Sequence, residues 1–300
     1  MSNNMRGYMY AALSSSSYGV NAFAPLLYAV GITTGSVLFY RYFFAVLMLL
    51  GLMLLKRESF RLTKKEFWLI MPMGLLFAYS SLSLFEAYKY LGVSLSATAL
   101  FVYPALVALL MWVVFRERPN MVTLVAIPVV FVGIVMLDWE GLMEGTSSVA
   151  GLLIVFSSAL SYAVYMVVVQ KSCLSKMSSV RLSFWSLFFG MWLFVGSTGF
   201  CSEVQMLEGV WEWVFVLALA LFPSLISLAA MSVAIRLVGS TATAVLGAFE
   251  PVTSVLIGVV LFGERPGLVS WVGMVVILLS ITMVVAGRRI MGLLRRQGGA

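Results

Sequence analysis

The sequence of 300 residues lacks histidine and contains only two cysteines. Metal sites built from clustered histidine and cysteine ligands are therefore excluded, and so is catalysis by a serine–histidine–aspartate triad. No nucleotide-binding P-loop motif is present, so ATP hydrolysis within this chain does not supply energy. We predict a protein that is not an enzyme and that holds no cofactor and no metal.

Charged residues are also scarce. They make up 10% of the chain, whereas 62% of its residues are hydrophobic and the mean hydropathy is +1.05. A soluble domain has roughly a quarter of its residues charged. No soluble core requires so many apolar side chains, so the composition indicates a polytopic membrane protein. The net charge of +7 is not gathered in a basic stripe with interleaved aromatic residues, so no nucleic acid is expected as a partner.

Ten apolar stretches are long enough to cross the hydrocarbon layer of a bilayer, which is about 30 Å thick. Because no water is available there to pair backbone groups, we predict that all ten are helices. Their predicted limits are 8–30, 34–55, 67–88, 93–115, 121–138, 149–170, 180–200, 212–235, 240–262 and 266–287.

The lysines and arginines predict the orientation of these spans. If the N-terminus is cytoplasmic, sixteen of the nineteen lie in cytoplasmic segments, and only Lys89 and Arg265 lie outside. The remaining one, Arg41, lies within the second span. The positive-inside rule then places both termini in the cytoplasm. We expect a multi-pass protein of a bacterial-type cytoplasmic (inner) membrane.

The chain contains an internal repeat. The segment GVSLSATALFVYPALVALLMWVVFRERP at 92–119 aligns without gaps with GSTATAVLGAFEPVTSVLIGVVLFGERP at 239–266. Shared apolar composition would explain matching leucines or valines, but not glycine, proline and a final Glu-Arg-Pro triplet all in register. We therefore predict a first five-helix repeat at 1–140, a second at 147–288 and a short basic cytoplasmic tail at 289–300. Five is an odd number, so the second repeat is inverted in the membrane, as in many secondary transporters.

Two stretches of sequence resemble the EamA family of the drug/metabolite transporter superfamily. They are LFEAYKYLGVSLSATALFVYP, which leads to FRERP, and RLVGSTATAVLGAFEPVTSVLIGVVLFGERP. The resemblance covers nearly the whole chain and implies ten helices and the export or uptake of small metabolites. The family's proline positions are held by Pro104 and Pro251, and its glutamate positions by Glu117 and Glu264. Arg41, in FYRYFFA, fits an arginine common in the family's second helix.

Glu250 is the most informative single residue, because a charge at mid-membrane costs about 2.5–3.5 kcal/mol on insertion scales. Its helical face includes Gly247 and Ser254, and such a small, polar face indicates a bundle interior or a hydrated cavity. Close packing of helices would also explain the small residues, but not the carboxylate. Polar faces on other spans complete the predicted substrate cavity with Tyr18, Asn21, Tyr79, Ser83, Tyr103, Ser161, Tyr165 and Ser227.

Three further kinds of residue have candidate roles. Arg41 cannot lose its proton and needs an anion, which is either Glu250 or a substrate carboxylate. Pro104 and Pro251 are candidate hinges, because each removes a backbone donor from its helix; static kinks are the alternative. Glu117 and Glu264 stand at symmetric helix ends, as turn and capping residues or as parts of a gate.

Together these features predict a secondary active transporter, preferentially an exporter, of small metabolites such as amino acids or drug-like amphiphiles. It would work by alternating access around a central cavity, with the small-molecule substrate and the lipid bilayer as partners and protons as the candidate coupling ion. The alternatives are a passive channel or facilitator and a non-transporting sensor or scaffold. The sequence leaves the substrate, the direction of transport and the oligomeric state open.

Overall fold

The computed structural model describes residues 3–116, 121–137 and 148–297, together with Trp139 and Met143. The regular structure of these residues is entirely helical. The first half contains α1 (Asn3–Gly19), a 3₁₀ turn (Val20–Phe23), α2 (Ala24–Tyr28), α3 (Thr34–Leu55), α4 (Lys64–Leu100), α5 (Tyr103–Phe115) and α6 (Met121–Leu137). The second half contains α7 (Val149–Lys171), a 3₁₀ turn (Cys173–Lys176), α8 (Ser179–Ser197), α9 (Val210–Ala220), a π-helical turn (Leu221–Ile226), α10 (Ser227–Val245), a 3₁₀ turn (Leu246–Ala248), α11 (Phe249–Phe262) and α12 (Leu268–Gln297).

Several of these helices can cross a bilayer. Five stretches of the described residues are long and apolar enough by length and composition: Thr34–Leu55, Lys64–Leu100, Val149–Lys171, Ser179–Ser197 and Val210–Met231. Three shorter apolar helices accompany them, at Tyr103–Phe115, Phe249–Phe262 and Leu268–Ser280. The helical membrane class is thereby confirmed, while the count of ten spans stays a prediction.

Serine or threonine side chains cap the N-termini of four long helices. Thr63 accepts from the backbone N–H of Glu66, and the Glu66 carboxylate accepts from the backbone N–H of Thr63, which forms a capping box at the start of α4. Thr33, Ser148 and Ser178 cap α3, α7 and α8 in the simpler way, by accepting one backbone N–H. Local sequence therefore fixes where these helices begin.

The fourth and ninth predicted spans are both broken helices. The fourth was predicted to be continuous over 93–115, but α4 runs to Leu100 and α5 begins at Tyr103 with Pro104 in its first turn. The ninth is divided by the 3₁₀ turn Leu246–Ala248, and Pro251 lies in the first turn of α11. The first turn of a helix has no internal partner for its backbone donors, so proline costs little there and a great deal further along.

Small residues bring helices from the two halves close together. The α4 helix packs against α7 and α8, α1 packs against α10 and α11, and α6 packs against α12. A Cβ atom at Gly190 of α8 would lie 2.8 Å from the carbonyl oxygen of Gly74 in α4. Gly273 of α12 approaches Gly133 of α6 in the same way, with 2.9 Å between its Cβ position and that carbonyl oxygen. Without a hydrophobic driving force between helices in lipid, such close backbone approach is a main source of helix association.

We predict that Gly190→Ala destabilises the protein, by about 1–3 kcal/mol, because the added methyl group forces α8 away from α4. The measurement is the melting temperature of the purified protein in detergent. Gly196→Ala is the matched control, since it lies on the same helix and a Cβ there meets no atom within 4 Å. An equal loss of melting temperature in both variants would contradict close packing at Gly190.

Candidate functional site

The two helix breaks lie side by side. The Cζ atom of Phe101, in the break between α4 and α5, is 3.7 Å from the position that a Cβ would take at Gly247. Gly247 lies in the 3₁₀ turn between α10 and α11. The first turns of α5 and α11, which carry Tyr103 and Glu250, therefore start near one another from opposite halves of the chain.

Glu250 is partly buried and makes no side-chain hydrogen bond or ion pair with any residue that the structure describes. Its helix is held against the end of α1. The Ser254 hydroxyl donates to the Gly19 carbonyl at 3.4 Å, and a Cβ at Gly19 would lie 2.9 Å from the Glu250 carbonyl oxygen. Packing of the backbone thus fixes where Glu250 lies, while the oxygens of its carboxylate remain available to accept hydrogen bonds.

Four tyrosines lie within electrostatic range of this carboxylate. The charge of Glu250 interacts with the hydroxyls of Tyr18, Tyr88, Tyr103 and Tyr162. The Tyr103 and Tyr162 rings meet edge to face with centroids 4.7 Å apart, and Tyr162 stacks on Tyr165 at 6.1 Å. These rings form an aromatic wall beside the only carboxylate of α11.

Arg41 is the second charged group of this region. It lies on α3 with 4% of its surface exposed, and its guanidinium carbon is 5.8 Å from the Tyr42 ring and 5.3 Å from the Phe85 ring. Its charge interacts with the hydroxyls of Tyr18 and Tyr88, the same two groups that interact with Glu250. Arg41 and Glu250, both described, are not joined by an ion pair within 4.0 Å.

Most of the predicted cavity hydroxyls have partners within the protein. Ser227 bonds Ser14 of α1 through its carbonyl and hydroxyl oxygens, at 2.8 and 3.1 Å. Ser161 donates to the Ser157 carbonyl of its own helix at 2.8 Å, and the Tyr165 and Ser186 hydroxyls lie 3.3 Å apart. The positions of these hydroxyls are explained by helix packing, and they are also compatible with a cavity wall.

The predicted residues Tyr79, Ser83 and Asn21 differ from one another in exposure and hydrogen bonding. Tyr79 is 42% exposed, and its hydroxyl lies 3.3 Å from that of Ser157. Ser83 is buried on the same helix. Asn21 is buried in the 3₁₀ turn that follows α1, and its side-chain oxygen has no hydrogen-bond partner.

Glu264 forms a clasp between the two halves. Its carboxylate accepts from the backbone N–H of Val93 at 2.5 Å, from the backbone N–H of Ser94 at 2.9 Å and from the Ser94 hydroxyl. These donors become free because Gly92, with φ of 74° and ψ of 178°, interrupts α4 just before them. A carboxylate at a helix N-terminus is favoured by the free donors and by the helix dipole. We call this arrangement the Glu264 clasp; its repeat counterpart Glu117 lies outside the described residues.

Sequence reasoning missed Tyr88, Tyr162 and Phe85 as neighbours of the two charges. Tyr162 aligns with Tyr18 in the repeat, and that symmetry was a usable signal for it. No such signal marked Tyr88 and Phe85, because the sequence does not distinguish one apolar face of a long helix from another. The bond from Glu264 to Ser94 joins different halves, so neither half alone could reveal it.

Comparison with known proteins supports the fold and assigns the family. A solved structure, described only as the crystal structure of a protein, superposes with a TM-score of 0.62 at 16% identity, covering 94% of this chain and 96% of that chain. No match is found among curated proteins. The EamA-like transporter family matches twice, over residues 5–138 and 149–286. This chain is therefore an integral membrane protein that belongs to the EamA-like transporter family.

Proposed function

We propose that this protein is a secondary active transporter, preferentially an exporter, of small metabolites such as amino acids or drug-like amphiphiles. The observation that carries the proposal is Glu250, an unpaired carboxylate inside a membrane protein, beside a tyrosine wall and next to two broken helices. Ionisable groups held inside a membrane mark substrate or ion pathways. Discontinuous helices at a repeat interface form substrate sites in many secondary transporters.

The architecture that we propose has ten transmembrane helices in two inverted repeats, at 1–140 and 147–288, with a cytoplasmic tail at 289–300. Support comes from the two stretches matched by the family and from the similar breaks before Pro104 and Pro251. The charge distribution supports a cytoplasmic-membrane protein with both termini inside.

Both termini are expected to be closed to reagents outside the cell. In a variant with Cys173→Ser, Cys201→Ser and Ala300→Cys, an impermeant maleimide should label the new thiol only after the membrane is permeabilised. Cys201 in the native chain is the positive control, because it is exposed and lies in an external loop of the proposed topology. Labelling at position 300 in intact cells would reverse the orientation.

In the proposed mechanism, Glu250 binds a cationic or amide group of the substrate, or a coupling proton. Tyr18, Tyr103 and Tyr165 provide the aromatic surface of the cavity. The remaining members of the proposed cavity lining are Asn21, Tyr79, Ser83, Ser161, Ser227, Gly247 and Ser254. Pro104 and Pro251 are the proposed hinges, because each lies in the first turn of a helix, directly after a turn that interrupts the α-helical pattern.

The Glu264 clasp is the proposed outer gate. It joins the loop after α11 to the start of the α4 segment beyond Gly92, so it ties the second half to the first. Opening the cavity on that side requires the carboxylate to leave three donors. In the described conformation the clasp is formed, which supports a state closed on the side of Glu264.

A covalent tie across the clasp should stop transport. With both native cysteines replaced by serine, oxidation of a Ser94→Cys, Glu264→Cys variant should lower transport to background, and reduction should restore it. Each single cysteine variant is the control and should not respond to oxidant. Undiminished transport by the cross-linked protein would contradict the gate.

The transport proposal is tested by ligand screening followed by flux. The purified protein is screened by thermal shift against amino acids, nucleobases, polyamines and amphiphilic drugs, since binding to the native state raises the melting temperature. A stabilising compound is then assayed in proteoliposomes. Saturation and counterflow are expected of a transporter, whereas non-saturating flux would indicate a channel and absence of flux a sensor or scaffold.

Glu250→Gln should lower transport of the compound at least about tenfold, because it removes a charged hydrogen-bonding partner from the site. Glu86→Gln is the control: Glu86 pairs with Lys89 at 2.8 Å on the surface, where an ion pair contributes little. Equal flux through Glu250→Gln and the unmodified protein would show that Glu250 is not in the transport pathway.

A further inference from the structure

The Arg41 guanidinium is a buried cation with no anionic partner among the described residues. Its guanidinium carbon lies over the rings of Tyr42 and Phe85, at 5.8 and 5.3 Å from their centroids. Contacts of this kind contribute about 0.5–2 kcal/mol, but a ring face does not neutralise the charge or accept two parallel N–H bonds as a carboxylate does. Arginine cannot escape the cost of burial by losing its proton, so an anion is required to offset it.

The carboxylates near this region are accounted for one by one. Glu86 is bound by Lys89 at 2.8 Å. Glu264 is held in its clasp by Val93 and Ser94. Glu250 is unpaired but is not within 4.0 Å of Arg41. Within the described part of the chain, Arg41 therefore has no resident counter-ion in this conformation.

The charges of Arg41 and Glu250 act on the same two tyrosines. Tyr18 and Tyr88 each interact with both Arg41 and Glu250. Asn21, one helical turn beyond Tyr18, keeps a buried side-chain oxygen without a partner. Arg41 and Glu250 thus act on the same two tyrosines, and Asn21 follows one of these tyrosines along the chain.

From this arrangement we propose that Arg41 is the binding site for the carboxylate of the transported molecule, and that the substrates are carboxylates attached to an apolar or aromatic body. The inference rests on the transport function proposed above and names the chemical class of its substrate. The planar guanidinium matches a carboxylate with two parallel N–H···O bonds, which gives orientation as well as affinity. Tyr42 and Phe85 shield the pair from water, so the interaction is stronger than the same contact at a surface.

Glu250 completes the charge balance of the occupied site. When the substrate carboxylate neutralises Arg41, Glu250 faces a protonated amine of the same molecule or carries a proton itself. A substrate with both a carboxylate and an amine therefore leaves the site electrically neutral with no change in protonation of the protein. Such a molecule satisfies both unpaired charges at once.

The experiment compares L-phenylalanine with L-phenylalaninamide, two probes that differ in the carboxylate and share the amine and the ring. Binding to the purified protein is measured by calorimetry at about pH 6, where both amines carry a proton. The unmodified protein should bind the acid at least about tenfold more tightly than the amide, because charge-assisted bonds to Arg41 are made only by the acid. In Arg41→Gln the affinity for the acid should fall at least about tenfold and that for the amide should not fall.

Two further variants make the result specific. Arg41→Lys keeps the charge but loses the planar fork, so the preference for the acid should be reduced and not abolished. Lys65→Gln removes a positive charge from an exposed position and should leave both affinities unchanged. The comparison of acid and amide on the unmodified protein remains informative even if an Arg41 variant does not fold.

Equal affinity of the unmodified protein for acid and amide, or binding of neither, overturns the carboxylate site. Retention of the full preference in Arg41→Gln overturns it as well. These outcomes are separable from failure of the transport proposal, which is judged by saturable flux and by Glu250→Gln. A protein that transports a compound without a carboxylate, and ignores the acid, is a transporter with a different substrate class.

Discussion

Every backbone N–H and C=O group inside a membrane protein has to find its partner within the protein, because hydrocarbon offers none. This constraint explains both the helices and the form of their interruptions. Where Gly92 interrupts α4, the donors of Val93 and Ser94 are bound by the carboxylate of Glu264 from the other half of the chain. The interruption of α4 therefore provides the donors for a hydrogen-bonded contact between the two halves of the chain.

The same constraint explains why the candidate site lies where it does. The α4 helix ends before Pro104, and the N–H groups of Phe101 and Val102 in the break bond the carbonyls of Thr98 and Ala99. The break before Pro251 is likewise closed by a 3₁₀ turn, so backbone groups keep partners within the protein. Phe101 and Gly247 bring these two breaks into contact. Two interruptions of regular helix, one from each half, are thus in contact beside the turns that carry Tyr103 and Glu250.

Arg41 and Glu250 do not form an ion pair with each other, so neither charge neutralises the other. A buried ion pair between them would satisfy both charges and leave nothing for a ligand. Their interaction with shared tyrosines, without direct contact, keeps both available. A partly buried carboxylate without a partner among the described residues costs free energy, and the proposed substrate contact would offset that cost.

Some local features are short-range properties of the chain, and the capping box at Thr63 and Glu66 is one that the sequence analysis did not use. The break before Pro104 was not predicted, since the fourth span was expected to be continuous over 93–115. Glu250 was predicted to lie on a polar face that lines a cavity; the structure places it partly buried beside the end of α1, and its role in a cavity stays a prediction. The exposure of Tyr79 and the internal bonding of Ser161 were not predictable, because a helical face can be counted from sequence but its neighbour cannot.

The sequence by itself determined the membrane class, the internal repeat and the family, because each depends on composition or on residues that lie close together along the chain. Only the tertiary structure decided which groups are paired. Glu264 bonds to Ser94 across 170 positions, and Arg41 has no counter-ion within 4.0 Å among the described residues although Glu250 interacts with the same tyrosines. The physical reason is that electrostatic and hydrogen-bonding partners are selected by distances of a few ångströms in space, and helix packing between the halves sets those distances.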